Sequence, residues 1–133
     1  MKTMKIFLPI ALLTLILFAF NTPPQEKWVV PEEYVNMKNP TDPNVDLAIG
    51  KSLYSKHCKS CHGKEGYGDG PKAKDQKGDL GDFSTAEYQS QTDGELFYKT
   101  SFGRDDMPEY TKKMPEDEDR WLIVNYMRTM LEE

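Results

Sequence analysis

The sequence has few of the side chains that bind metals or form disulfides. Its 133 residues include only two cysteines and two histidines. All four lie within one short stretch, as His57, Cys58, Cys61 and His62. A structural zinc site needs four ligands, usually in two separated pairs. Because no second pair exists, the composition disfavours zinc.

An excess of basic residues is also lacking. From residue 22 onward, 15 basic residues (17 minus Lys2 and Lys5) face 22 acidic ones, which gives a net charge of −7. Nucleic acid is therefore not an expected partner, because binding to phosphates needs a basic surface. The sequence shows no internal repeat, and its length leaves room for one domain with appendages.

The first 21 residues resemble a targeting segment. Lys2 and Lys5 give a positive start, and residues 6–20 are almost wholly apolar. This run is shorter than the ~20 residues that a spanning helix needs, which favours a signal peptide over residues 1–21. Because the cleavage signal is weak, an uncleaved anchor that tethers the protein through residues 6–20 stays an alternative. Either way we expect export to the periplasm, as a soluble or a membrane-anchored protein.

Residues 22–43 contain five of the nine prolines and form a predicted arm or linker. The stretch from Trp28 to Met37 is too apolar for a solvated linker. We expect it to lie against the domain that follows, residues 44–133, although a flexible arm is the alternative.

The chemistry centres on Cys58, Cys61 and His62, which form a C-x-x-C-H motif. This motif is typical of covalent attachment of a c-type haem. Each cysteine can form a thioether with one vinyl group, and His62 can bind the iron as proximal ligand. A thioredoxin-like site and a plain disulfide are the remaining alternatives. We expect His57 to face solvent.

Apolar periodicity predicts an all-α fold. A loop is expected over residues 63–81, and a short turn is plausible at residues 84–89. Thr92 and Glu95 form a capping box that opens a helix extending to Phe102, with Gly103 as its C-cap. The other two predicted helices are Asp46–His57 and Glu116–Leu131, the latter with Pro115 at its first position.

The function depends on what binds the iron opposite His62. No third histidine exists, so a methionine is the usual candidate. Met107 lies in an irregular loop between the last two helices, and such a loop can bring a side chain to the opposite face. Met114 is better explained as a core residue next to the last helix, although it and an open iron stay alternatives. We therefore predict Met107 as the distal ligand.

The motifs together resemble those of small class I c-type cytochromes over residues 44–131. Gly50 and Tyr54 match the first helix of that family, and Ile123 and Tyr126 match its last helix. The resemblance implies a cytochrome c fold, with three to four helices around one covalently attached haem and the first and last helices crossing. It also implies that the Pro71 carbonyl accepts a hydrogen bond from His62.

These features predict a one-electron carrier of a respiratory-type chain, with one haem c and its iron, and not an enzyme. Its expected partners are redox proteins, namely a donor complex and a terminal oxidase or reductase. Five lysines are candidates for the docking rim: Lys59, Lys64, Lys72, Lys74 and Lys77. The alternatives are a haem subunit of a dedicated redox complex, a five-coordinate gas sensor or peroxidase, and an exported thiol oxidoreductase.

Overall fold

A computed structural model describes residues 26–132 as an all-α protein. In this part of the chain no β-strand forms, and Arg104 and Met107 make an isolated bridge. The predicted fold class is therefore confirmed. The helices are α1 (Glu32–Val35), α2 (Leu47–His57), α3 (Lys59–His62), α4 (Ala86–Gln89), α5 (Asp93–Phe102) and α6 (Asp117–Arg128), with a 3-10 turn at Ala73–Asp75.

The N-terminal predictions fall mostly outside the described residues. The signal peptide or anchor at residues 1–21, the tether at residues 6–20 and the first part of the arm at residues 22–25 all lie there. Within residues 26–132, no helix is long and apolar enough to cross a membrane.

Helices α2 and α6 cross at Gly50. A Cβ atom at this position would overlap the carbonyl oxygen of Leu122 and would lie 3.3 Å from Cβ of Tyr126. The rings of Tyr54 and Tyr126 pack beside the crossing with their centroids 5.4 Å apart. The predicted crossing of the first and last helices of the domain is confirmed, and the missing side chain of Gly50 is what permits it.

The local signals at α5 gave correct boundaries. Thr92 accepts a hydrogen bond from the backbone of Glu95, and the Glu95 carboxylate accepts one from the backbone of Thr92. Gly103 ends the helix with φ of 60°, a value that glycine adopts without strain. The predicted turn at residues 84–89 also forms, as α4, capped by the Thr85 side chain.

Three helix boundaries of the prediction were wrong, each by one to three residues. Asp46 has φ of 59° and precedes α2 instead of belonging to it. Helix α6 begins at Asp117, since Glu116 is extended with ψ of 125°, and Pro115 therefore lies outside the helix. Helix α6 ends at Arg128, because the residues after it turn back and the Glu132 backbone N–H donates to the Ser84 carbonyl at 3.0 Å.

The proline-rich arm packs against the helices. The Tyr34 ring lies 4.8 Å from that of Tyr98 and 5.6 Å from that of Phe102, both on α5. Further along the arm, Asn39 donates to the Asn125 side chain at 2.7 Å. Asn125 in turn donates to the Thr41 hydroxyl at 2.9 Å. The hypothesis that the stretch from Trp28 to Met37 lies against the domain is confirmed.

Candidate haem site

The C-x-x-C-H motif forms one tight helical turn at the end of α2. Cys58 continues the hydrogen bonding of α2 by donating to the Tyr54 carbonyl at 2.8 Å, and its own carbonyl accepts from His62 at 3.0 Å. Cys58 is buried and Cys61 half-buried, and both thiols are free. The turn therefore places two thiols and an imidazole at one end of α2.

A cavity of about 260 Å³ opens beside this turn. His62 and both cysteines contribute to one part of its wall, and Met107 contributes to another. Apolar side chains make up much of the remainder, including Phe83, Leu96 and Met127. The structure thus brings four of the five predicted site residues, Cys58, Cys61, His62 and Met107, to one cavity.

The imidazole of His62 is held in an apolar setting. Its ring lies 4.7 Å from that of Phe83 at an angle of 32°. Burial lowers the pKa of His62, although a hydrogen bond with the Leu80 backbone acts in the opposite direction. The ring is thus kept neutral, which is the form that binds metals.

One polar atom of His62 is left unsatisfied. Within the described residues, its Nδ1 is buried and has no hydrogen-bond partner. Buried polar atoms without partners are rare in folded proteins and call for a specific explanation. An imidazole that has unused bonding capacity next to a cavity fits the ligand of a bound metal centre.

Pro71 lies next to the motif, but its predicted hydrogen bond is not formed. The neighbouring backbone packs on the turn, since Gly70 donates to the Cys61 carbonyl at 3.0 Å and Lys72 to the Ser60 carbonyl at 2.8 Å. Because Nδ1 of His62 has no partner in the described part of the chain, the Pro71 carbonyl does not accept from it. Pro71 is an exposed neighbour of the turn, and its role toward a haem stays a prediction.

The loop that carries Met107 is held at both ends. At its start, a Cβ atom on Gly103 would clash with the carbonyl carbon of Pro108 at 2.7 Å, so the loop folds closely over the glycine. Met107 donates its backbone N–H to the Arg104 carbonyl at 2.8 Å. At its end, the Tyr110 hydroxyl donates to the His57 carbonyl at 2.7 Å, which links the loop to the residue before Cys58.

The other methionines occupy different positions. Met114 is 2% exposed and does not line the cavity, so its predicted role as a core residue is confirmed. Met127 is buried in the core and lines the cavity as well. Its sulfur lies 4.0 Å from the Tyr88 hydroxyl.

His57 differs from its prediction as a solvent-facing residue. It is half-buried and lines the cavity, and its ring lies 5.7 Å from that of Tyr110. The Tyr110 contact, which joins residues distant in sequence, accounts for the difference.

Cys58 does not have the lowered pKa that is typical of a redox-active thiol. Burial, together with the charge of Cys61, raises the pKa of the Cys58 thiol to about 12. Reactive thiols of thioredoxin-like sites have lowered pKa values, because the thiolate is the nucleophile. The environment of Cys58 therefore argues against a thiol oxidoreductase.

Comparison with known families agrees with this geometry. Residues 45–127 match the family described as cytochrome c oxidase, cbb3-type, subunit III. The chain belongs to this family. It is a small c-type cytochrome, so its cofactor is haem c with iron and it is an electron-transfer haem protein.

A solved structure is also similar to this cytochrome. It is a chain of a reducing HAO-like protein complex from Kuenenia stuttgartiensis, with 28% sequence identity and a TM-score of 0.61. The match covers 74% of the cytochrome and 49% of that chain, so the cytochrome spans about half the length of its neighbour. No curated protein matches the sequence.

The cavity residues that sequence reasoning missed include Trp28, Lys99 and Arg104. Trp28 comes from the arm, and its ring lies 4.5 Å from the Arg104 guanidinium carbon and 5.6 Å from Lys99 Nζ. A tryptophan in a proline-rich linker was a signal that the arm packs somewhere. Its position at the haem cavity depends on contacts between distant residues, which sequence patterns do not encode.

Proposed function

We propose that this cytochrome is a one-electron carrier with its haem attached through Cys58 and Cys61 and its iron bound by His62 and Met107. The observation that carries the proposal is that one cavity has all four side chains on its wall. The two candidate iron ligands come from separate parts of the chain, the turn after α2 and the loop between α5 and α6. Only the tertiary fold brings them together.

Each of these residues has a distinct task. The thiols of Cys58 and Cys61 anchor the cofactor to the rigid end of α2, so that its position is fixed relative to the helices. His62, kept neutral by burial, offers a lone pair to the iron. Met107 offers a thioether, which raises the potential relative to a second imidazole. When bound, the haem accepts and releases one electron.

If His62 and Met107 both bind the iron, no position on it would stay open for a substrate. The cytochrome would then pass electrons between redox proteins without catalysing a reaction of its own. A donor complex and a terminal oxidase or reductase are suitable partners. Of the five candidate rim lysines, all in the described part of the chain, Lys77 alone lines the cavity. Lys64 pairs instead with Glu65 at 2.9 Å.

The proposal includes export to the periplasm. Residues 1–21 would act as a signal peptide or an anchor through residues 6–20, residues 22–43 as the arm and residues 44–133 as the haem domain. The support is chemical, because haem c is attached outside the cytoplasm and the chain contains the C-x-x-C-H motif for that attachment. Intact mass of the matured protein would report haem addition and removal of the leader together.

The distal ligand is tested by replacing two methionines with leucine, which nearly conserves volume. The test uses the holoprotein, expressed in a host that attaches haem c. We expect M107L to lose the weak far-red absorption band of methionine-ligated ferric haem and to bind carbon monoxide when reduced. The matched control M114L changes a buried methionine outside the cavity and should behave as the wild type does.

If the wild-type protein itself binds carbon monoxide at neutral pH, the carrier proposal fails and a five-coordinate sensor or peroxidase is favoured. If M107L keeps its far-red band and M114L loses it, the ligand assignment is wrong but the carrier survives. A colourless matured protein would overturn the whole proposal.

A second candidate function is a haem subunit of one redox enzyme complex. The similarity to a chain of a multiprotein redox complex favours it, as does the description of the matched family as an oxidase subunit. Native mass of the cytochrome from gently solubilised membranes of its own host separates the two. A free carrier should have the mass of one chain with one haem, whereas a subunit should purify in a larger assembly of fixed composition.

A further inference from the structure

The arm contributes directly to the wall of the haem cavity. Trp28 is half-buried there, with the guanidinium of Arg104 stacked on its ring at 4.5 Å. A guanidinium over an indole within ~6 Å is an attractive contact that grows stronger where water is excluded. The arm and the loop of Met107 therefore meet through this pair.

Arg104 has a second bond to the arm. Its Nη1 donates to the Glu26 carbonyl at 2.8 Å, while its exposed neighbour Asp105 lies 3.7 Å away as a weaker ionic partner. The indole face and the carbonyl together fix the direction of the guanidinium.

The backbone of the same arginine holds Met107. The Arg104 carbonyl accepts from the Met107 N–H at 2.8 Å, and this contact closes the loop. Arg104 thus has its side chain on the arm and its main chain on the candidate iron ligand. A single residue therefore links the arm to Met107.

We propose that Trp28 is a positioning residue for the distal methionine: the arm, through Trp28 and Glu26, fixes Arg104 and so holds Met107 on the iron. The inference rests on the proposed function, because it takes Met107 as the ligand. Without the arm, Arg104 would lose its contacts with Trp28 and Glu26.

The arm is firmly enough attached to serve in this way. Tyr34 packs its ring edge against two aromatic rings of α5. A Cβ atom on Gly94 would overlap the Tyr34 carbonyl oxygen, so the arm backbone lies directly on that helix. The Met107 loop is more exposed than the arm at this point, since Asp105 and Asp106 both face solvent. Asp106 accepts a hydrogen bond from the Lys77 backbone at 2.7 Å.

The test uses matured holoprotein with W28A, W28F and, as matched control, V29A, which alters an adjacent arm residue that is 80% exposed. Carbon monoxide is added to the reduced proteins, and the far-red band is recorded for the oxidised ones. We expect W28A to bind carbon monoxide at least tenfold more than the wild type and to lose intensity in the band. W28F should recover most of the wild-type behaviour, and V29A should match it.

The double variant W28A/R104Q separates this inference from a general loss of stability. If Trp28 acts on Met107 only through Arg104, the double variant should bind carbon monoxide as strongly as R104Q alone does. Once Arg104 is replaced, the loss of Trp28 has no further effect. Additive effects, or a W28A protein that melts at lower temperature yet still excludes carbon monoxide, would overturn the inference. Carbon monoxide binding by the wild type would instead refute the Met107 assignment on which it rests.

Discussion

At the scale of single residues, Gly50 and Tyr110 show how the framework of the haem site is held. Gly50 allows the backbone of α6 to touch that of α2. Tyr110 ties the Met107 loop to the carbonyl of His57, next to the first cysteine. Each position depends on a single property of one side chain, which makes it testable by one substitution.

Replacing Gly50 with alanine should destabilise the holoprotein. The added methyl group would overlap the Leu122 carbonyl, and a backbone atom in a packed helix cannot yield easily. Overpacking of this kind typically costs about 1–3 kcal/mol, so thermal denaturation should show a clearly lower midpoint. The control S52A lies on the exposed side of the same helix and should leave the midpoint nearly unchanged. An unaltered G50A protein would refute the tight crossing.

Tyr110 should make stability fall at high pH. Burial is the largest cause that raises the pKa of Tyr110 to about 12, and it persists when both cysteines are uncharged thioethers. In the unfolded chain a tyrosine ionises near pH ~10. Above that pH the unfolded state loses its proton first, so stability decreases as pH rises toward 12.

Urea denaturation of the holoprotein between pH 8 and pH 11 measures this effect. The Y110F variant should start less stable, because the bond to His57 is lost, but should decline less steeply. Its decline should not vanish, since burial also raises the pKa values of Tyr54 and Tyr88. Equal slopes for the two proteins would contradict the assignment.

At the scale of elements, sequence patterns were most reliable where the signal was local. The capping box of α5 involves two side chains three residues apart, and it gave the start of the helix correctly. The end of α6 depends instead on the bond between Glu132 and Ser84, which joins distant residues, and the prediction overran it. The contact of Trp28 with Arg104 was unpredictable for the same reason, as was the nitrogen of His62 that has no partner among residues 26–132.

The arm is an element whose attachment can be measured. Asn125 is 5% exposed and bonds to both Asn39 and Thr41. The variant N125A leaves these arm groups without their partner, which costs about 1–3 kcal/mol when they stay buried. Trypsin should then cut after Lys38 at a rate several-fold higher than in the wild type.

The control for this experiment is N36A. Asn36 is exposed, and its side chain bonds within the arm to the Glu32 carbonyl, so its loss should not release the arm. Equal protection of Lys38 in N125A and the wild type would show that other contacts hold the arm.

At the scale of the whole molecule, the haem cavity lies among the core residues. Leu96, Met127 and Phe83 belong to the buried core and also line the cavity. Small domains bury a modest fraction of their surface, so a core with its centre removed should not be stable alone. The covalently bound cofactor supplies that centre.

The chain without haem should therefore be largely unfolded. The variant C58S/C61S, and the wild type made in a host that lacks haem attachment, should both show weak far-ultraviolet helical circular dichroism and no cooperative melting. The matured wild type is the reference, with strong helical signal and a sharp transition. A cooperative transition in the haem-free chain would show that the polypeptide alone suffices to fold.

The meeting of α2 with α6 has a consequence for the order of assembly. During synthesis the Cys-x-x-Cys-His turn emerges well before Leu122, the α6 residue whose carbonyl packs on Gly50 of α2. The thiols of Cys58 and Cys61 could thus react with the vinyl groups of haem before α6 packs against α2. Packing of α6, whose Met127 lines the cavity, then closes this side of the haem site. A truncated protein that lacks only α6 should therefore still attach haem, but its porphyrin would be exposed to solvent.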